Sequence, residues 1–332
     1  MPTKQPFSKN ILDIDCATIA EQIATKLRKN LIKTFHRRGY VVAVSGGIDS
    51  SVTLGLCQKA VGEKKVIALQ MPEKNSAKET LDLSGSVADA FGVEKVHEDI
   101  SGVLQSVGFY KRYDEVMQSV IPEYGEGWKS KIVLPGISDR STINIYSVVA
   151  QSPDGETTKK RLPLKAYLEI VAATNFKQRI RKMFEYYYAD RNNYATTGTP
   201  NRLEYDQGFF VKLGDGAADI KPIAHLYKSQ VYKLAEYLGV PIAICKRPPT
   251  TDTYSLAQGQ DEFYFMLPYD KMDYCLYGKN NGYLPEEVAE TIGLSTDQVE
   301  LVYKDIDKKR STTRYMHIPP VLVGDVPEIR MI

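Results

Sequence analysis

The residues best suited to chemistry lie in one short run, Ser45-Gly46-Gly47-Ile48-Asp49-Ser50-Ser51, directly after the apolar stretch 40–44. Gly46 and Gly47 permit a left-handed backbone and let main-chain N–H groups come close to a ligand. Ser45, Ser50 and Ser51 add hydroxyl donors. Apolar residues at helical spacing follow (Val52, Leu56, Val61), so the run marks a strand–turn–helix junction. The start of that helix supplies unpaired N–H groups and the positive end of the macrodipole. The turn is therefore expected to hold an anion such as a phosphate. Asp49 would repel a bare phosphate, but fits a site where Mg²⁺ bridges the two.

The run is not a Walker loop, since no G-x-x-x-x-G-K-[ST] occurs, and G-x-G-x-x-G is also missing. SGG-x-DS is instead similar to the signature of N-type ATP pyrophosphatases, which cut ATP between the α and β phosphates. Later segments carry groups that suit the same task. Asn175 and Arg179 stand four apart, on one helix face, and an arginine fork suits carboxylates and phosphates. Thr199 and Glu204 follow a predicted strand, where open α/β sheets bind ligands, and Glu204 is placed to be a second Mg²⁺ ligand. Asp215 and Asp219 lie in a glycine-rich loop too polar to be core. Lys212 precedes them, and Lys228 opens the next helix. The stiff loop 246–252 carries Thr250.

These groups need a scaffold. The apolar pattern predicts a helix over 16–38, strands over 40–44, 65–71 and 94–100, and a helix over 76–91 between the last two. This β-α-β-α-β alternation implies a doubly wound α/β fold, a parallel sheet with helices on both faces. A helix over 164–192, a fourth strand over 194–198, a helix over 226–238 and a helical C-terminal part follow. Residues 111–165 break the pattern. Thr142 to Val149 alternate, Ser152-Pro153-Asp154-Gly155 reads as a turn, and 156–161 returns as a polar strand. The segment reads as a β-hairpin-containing insertion within one domain spanning 1–332, and fits a lid, an interface element or surface decoration. The tyrosines 186–188 and 194 face several directions and suit core or subunit packing.

Composition narrows the classes. A chain of 332 residues with 43% hydrophobic and 25% charged residues is ordinary for a globular protein, and its net charge of +2 argues against a nucleic-acid binder. The four cysteines are scattered without CxxC spacing, and the four histidines form no ligand pattern. A disulfide framework and a structural zinc site are therefore not expected. The N-terminus lacks a signal-like apolar core and no apolar run approaches a membrane span, so the chain is expected to be cytoplasmic, with no membrane partner.

Taken in order, SGGIDSS, NFKQRIR, GTPNRLEYDQGFFVKLGDGAADIKPIAHLYK and RPPTTD resemble the ammonia-dependent NAD synthetase family. The chain departs from that pattern at Pro200 and at the alanine that follows Gly216. The resemblance implies ATP-dependent amidation of deamido-NAD through an acyl adenylate, releasing AMP and pyrophosphate. It implies ATP contacts from Ser45, Gly46, Gly47, Ser50, Ser51, Thr199, Lys228 and Thr250. Mg²⁺ would fall to Asp49 and Glu204, and deamido-NAD to Asn175, Arg179, Lys212, Asp215 and Asp219. Asp49 and Lys228 would serve the chemistry directly, with Asp219 as the base that frees ammonia from its proton. Lys309 and Arg310 resemble a late basic motif near the site. The family also implies a homodimer with a shared deamido-NAD site. The length leaves no room for a nitrilase-type glutaminase domain, so ammonia is expected directly or from a separate glutaminase. An amide ligase for another carboxylate and a non-catalytic nucleotide-binding module are the competing readings.

Overall fold

A computed structural model describes residues 5–76, 78–134, 146–250, 253–259 and 264–329. The chain opens with α1 (Cys16–Lys33), whose start is capped by the Asp15 carboxylate accepting from the Ala17 N–H. Its buried residues Ile23, Leu27 and Leu31 form the four-spaced stripe read from the sequence. The helix ends before the predicted position 38. Thr34 closes it, and His36 takes a positive φ that turns the chain toward the sheet.

Four strands then form the central sheet: β1 (Tyr40–Ala43), β2 (Val66–Gln70), β3 (Glu94–His97) and β7 (Ala195–Thr196). Their order is β3–β2–β1–β7, and every pairing is parallel, with Tyr40 opposite both Val66 and Ala195. The connecting helices α2 (Ile48–Val61) and α3 (Lys78–Ala90) pack with α1 on one face. Tyr40 and Val42 point to that side. Val41 points to the other, among α4 (Ser101–Ser106), α5 (Phe109–Val120) and the long α6 (Leu164–Asn192). The doubly wound architecture is as the sequence implied. The strands come out shorter, because each pairs only where its neighbour reaches. The two residues of β7 are extended by a single bridge from Thr197 to Ile220.

Between α5 and α6 lies a second, antiparallel sheet of β4 (Lys129–Val133), β5 (Ser147–Gln151) and β6 (Thr157–Arg161). The expected hairpin is β5–β6, with its turn at residues 152–156; the part of the predicted alternation at 142–145 lies outside the described residues. Two elements here were not predicted. β4 reads as polar (KSKIV), yet buries Ser130 and Ile132 on one face. Residues 111–120 belong to α5, which buries Tyr113, Val116 and Met117 against the sheet and α6.

After β7 come α7 (Arg202–Gln207), α8 (Lys228–Leu238) and α9 (Ile242–Cys245), then α10 (Tyr269–Asn280), α11 (Pro285–Ile292) and α12 (Thr296–His317). α8 completes the first face of the sheet, and α10 to α12 build a third apolar cluster around Met272, Leu276 and Val302. α10 belongs to the C-terminal part read as helical, but its own start was not marked, because tyrosines interrupt its apolar stripe.

Candidate active site

The turn after β1 is built by its own side chains. Gly46 adopts φ 74°, and a Cβ placed there would stand 2.8 Å from the Thr80 carbonyl. Ser50 and Ser51 both donate to the Gly47 carbonyl, at 3.0 and 2.8 Å. The Ser45 N–H donates to Ser50 Oγ at 3.3 Å. Gly47 caps α2 without a side-chain acceptor, so the first N–H groups of the helix face the cleft above.

That cleft has a volume of about 540 Å³ and runs along the carboxyl ends of β1, β2 and β7. At one end, Asp49 receives an ion pair from Lys228, which is 2% exposed, and a hydrogen bond from Asn201 Nδ2 at 3.1 Å. Asn201 also caps α7, its carbonyl oxygen accepting from the Leu203 and Glu204 N–H groups, while Glu204 accepts from the Asn201 N–H at 3.1 Å. This capping box locks Glu204 and Asp49 to one residue. Burial alone would depress the Lys228 ammonium. The Asp49 and Glu204 carboxylates outweigh it and hold the group above the usual lysine range.

The far wall belongs to α6. Asn175 and Arg179 line the cleft one turn apart, and Arg179 donates to the Lys212 carbonyl at 3.4 Å. Lys212 itself reaches the Tyr315 and Ile318 carbonyls at 2.7 and 3.1 Å. Deeper lies a buried pair, Lys182 and Glu185, with Asp215 beside it. Burial raises the Glu185 carboxyl even against the attraction of Lys182. It raises Asp215 too, against the hydrogen bond donated by the Val211 N–H at 2.8 Å. Tyr146 and Tyr167 stack at 4.2 Å between ring centres and face the same space as Tyr254 and Tyr264.

A family model described as NAD synthase matches residues 19–120 and 136–315. The chain belongs to the NAD synthase family. It is 55% identical over 97% of its length to an NH(3)-dependent NAD(+) synthetase of Rhizobium meliloti, covering 96% of that protein. It is 35% identical over 77% of its length to one from Thermotoga neapolitana, covering 82% of that relative. Among solved structures, the NH3-dependent NAD synthetase of Campylobacter jejuni matches 94% of the chain and all of its own, with a TM-score of 0.60 at 21% identity, which speaks to the fold.

Within the NAD synthase framework, the cleft gathers most of the residues picked from sequence. Ser45, Gly46, Gly47, Asp49, Ser50, Thr199, Glu204, Lys228, Thr250, Asn175, Arg179, Lys212 and Asp215 all line it. Ser51 and Asp219 are not among the described lining residues. Ser51 is fully buried beneath the turn. Asp219 accepts from the Thr196 N–H at 2.7 Å and from the Tyr186 hydroxyl at 3.4 Å, fixing the end of β7. Lys309 and Arg310 are not among the described lining residues and pair with Asp305 and Asp206, though Lys309 also donates to the carbonyl of cleft-lining Tyr264 at 2.7 Å, while Thr313, Tyr315 and Met316 of the same helix reach the cleft. Of the tyrosine run, Tyr188 packs in the core and Tyr187 is exposed.

Sequence reasoning missed Asn201 and the pairs Lys182–Glu185 and Lys177–Glu73. Asn201 was legible, since Asn-x-x-Glu ahead of a helix is a capping box. Lys182 and Glu185 were legible too, three apart on one helix; Lys177 and Glu73 were not, because they meet at 2.7 Å only once α6 crosses the end of β2.

Proposed function

We propose that this NAD synthase family member converts deamido-NAD to NAD in one ATP-binding unit elaborated by residues 111–165. The nicotinate carboxylate attacks the α-phosphorus of ATP and displaces pyrophosphate. Ammonia then attacks the acyl adenylate and releases AMP. Adenylation is required because a carboxylate is a poor electrophile. The protein positions the reactants and stabilises charge.

The observation that carries this reading is the convergence of Asp49, Glu204 and Lys228 on the uncapped N-terminus of α2, across one cleft from Asn175 and Arg179. Ser45, Gly46, Gly47 and Ser50 receive the phosphates, with Lys228, Thr199 and Thr250 around them. Two carboxylates tied through Asn201 suit Mg²⁺, which is commonly held by one or two carboxylates and completed by substrate phosphates. When bound, Mg²⁺ neutralises charge developing on the phosphates. Asn175, Arg179 and Lys212 hold the dinucleotide. For the ammonium ion we favour Asp215 over Asp219. Asp215 lines the cleft and burial raises its carboxyl, as a base for ammonium requires.

We also propose a homodimer. α6 leaves Leu164, Leu168, Met183 and Tyr187 exposed on the side that carries Asn175 and Arg179. A second copy covering that stripe would bring both chains to the dinucleotide end of the cleft. Among the described residues no helix is long and apolar enough to cross a membrane; a cytoplasmic setting, with ammonia supplied directly or by a separate glutaminase, completes the proposal.

The test follows AMP, pyrophosphate and NAD from Mg-ATP and ammonium, with and without deamido-NAD. NAD rising in step with AMP only when deamido-NAD is present supports the reading. ATP left intact by deamido-NAD sinks the acceptor, and other pyridine carboxylates are tried next. The Asp49→Ala variant should lose pyrophosphate release; a protein that only binds nucleotide has none to lose.

A further inference from the structure

An edge strand normally leaves a row of main-chain groups unpaired. β4 pairs with β5 on one side, and its other edge is taken by a segment far along the chain. The Ser130 N–H donates to Ser255 Oγ at 2.9 Å, and the Leu256 N–H donates to the Ser130 carbonyl at 3.1 Å. Gln258 Nε2 donates to the Ile132 carbonyl at 2.5 Å, and Lys131 Nζ to the Ala257 carbonyl at 3.2 Å. Ser130 and Ile132 are two apart, so their main-chain groups face the same edge.

β4 is itself anchored. The Ser130 hydroxyl is buried within hydrogen-bond reach of the Tyr113 hydroxyl of α5 at 2.9 Å and the Tyr124 hydroxyl at 3.2 Å. The held segment is fixed at further points. Tyr254 is buried in the apolar cluster that contains Ile132 and Val148. Lys177, paired with Glu73, donates to the Thr253 carbonyl at 3.3 Å. Gly259 pairs antiparallel with Thr250, closing the segment on itself. Thr250, Thr253 and Tyr254 line the cleft. β4 also falls within residues 121–135, the internal stretch the family model leaves unmatched.

We propose that β4 is a positioning element for the nucleotide site: through Ser130 and Ile132 it holds Ser255 and Gln258, and through the Thr250–Gly259 pair it sets Thr250 on the wall of the cleft. Ser255 and Gln258 are positioning residues, not catalytic ones. The assignment of Thr250 to ATP rests on the proposed function; the clasp rests on the hydrogen bonds.

The test uses the full chain with Ser255→Ala and Gln258→Leu combined, and Ser255→Ala alone should the pair fail to fold. Amide exchange within 253–259 should quicken about tenfold, the scale set by losing two modest hydrogen bonds, while β1 and β2 keep their protection. KM for ATP should rise about tenfold, with kcat and KM for ammonium within about twofold. Lys159→Ala on β6, at the far edge of the sheet, should change none of these. Unchanged exchange in 253–259 overturns the clasp. Faster exchange with an unchanged KM for ATP overturns the positioning role. If the unaltered protein makes no NAD, the functional reading fails, and amide exchange decides the clasp alone: it stands if the variant exchanges faster than the unaltered chain within 253–259 while β1 and β2 keep their protection, and falls if it does not.

Discussion

Lys228 sits where the demands of the site are sharpest. It is almost fully buried, and its ammonium is held charged by Asp49 and Glu204. Replacing it with methionine leaves two carboxylates facing the phosphates without compensation. Pyrophosphate release should fall on the order of 10²–10³-fold, the scale of losing one preorganised charge-stabilising group, measured at saturating ATP. Asp273 gives a second prediction at this scale. It accepts the first N–H groups of α8, from Lys228 at 3.1 Å and Ser229 at 2.6 Å. Burial pushes its carboxyl from an ordinary 3.8 up to about 7. Between those values the folded chain keeps a proton that the unfolded chain has released, so stability falls as pH rises from about 4 to about 7 and levels off above. Asp273→Asn should flatten that stretch of a Tm series. A Tm that instead rises over it in the unaltered protein would contradict the assignment. Single residues were the most legible scale in the sequence where they sat in a continuous motif, as at residues 45–51. They were least legible where partners met across the fold, as with Lys177 and Glu73.

At the level of elements, the strand–turn–helix around Gly46 carries the site. A side chain there meets both a positive φ and the Thr80 carbonyl. Gly46→Ala should cost about 1–3 kcal/mol in denaturant unfolding and weaken ATP binding, because the turn must shift to relieve the contact. Retained affinity would mean that the turn does not shape the phosphate site. The limits of α6 matched the sequence pattern because Pro163 precedes the helix and Asn193 ends it in a left-handed conformation. The parallel strands were visible as apolar runs, as buried strands are. β4 was hidden because Lys129 and Lys131 face outward and only two of its side chains are buried, a pattern too short to stand out from a polar loop.

For the molecule as a whole, the homodimer proposed on the exposed stripe of α6 would make assembly and activity one question. Leu168→Glu together with Met183→Glu places two charges on the apolar side of that helix. The expected result is a folded monomer by light scattering and circular dichroism, with a loss of NAD formation of at least about tenfold, because a charge buried at an interface is poorly tolerated. A variant that stays dimeric and active would move the interface elsewhere. The family was readable from ordered motifs along the chain. Nothing in the sequence could tell that residues 129–133 and 255–258 lie side by side, because that pairing is settled by α5 and α6 together.

The lone tryptophan of the chain, Trp128, stands one residue before β4, its ring centre 5.8 Å from that of Tyr124. Light absorbed selectively by indole is therefore emitted from a single known place, at the root of the strand that clasps the nucleotide loop. Its emission wavelength and quenching by iodide make a label-free optical gauge of that junction, readable during turnover because such light leaves the 22 tyrosines of the chain unexcited.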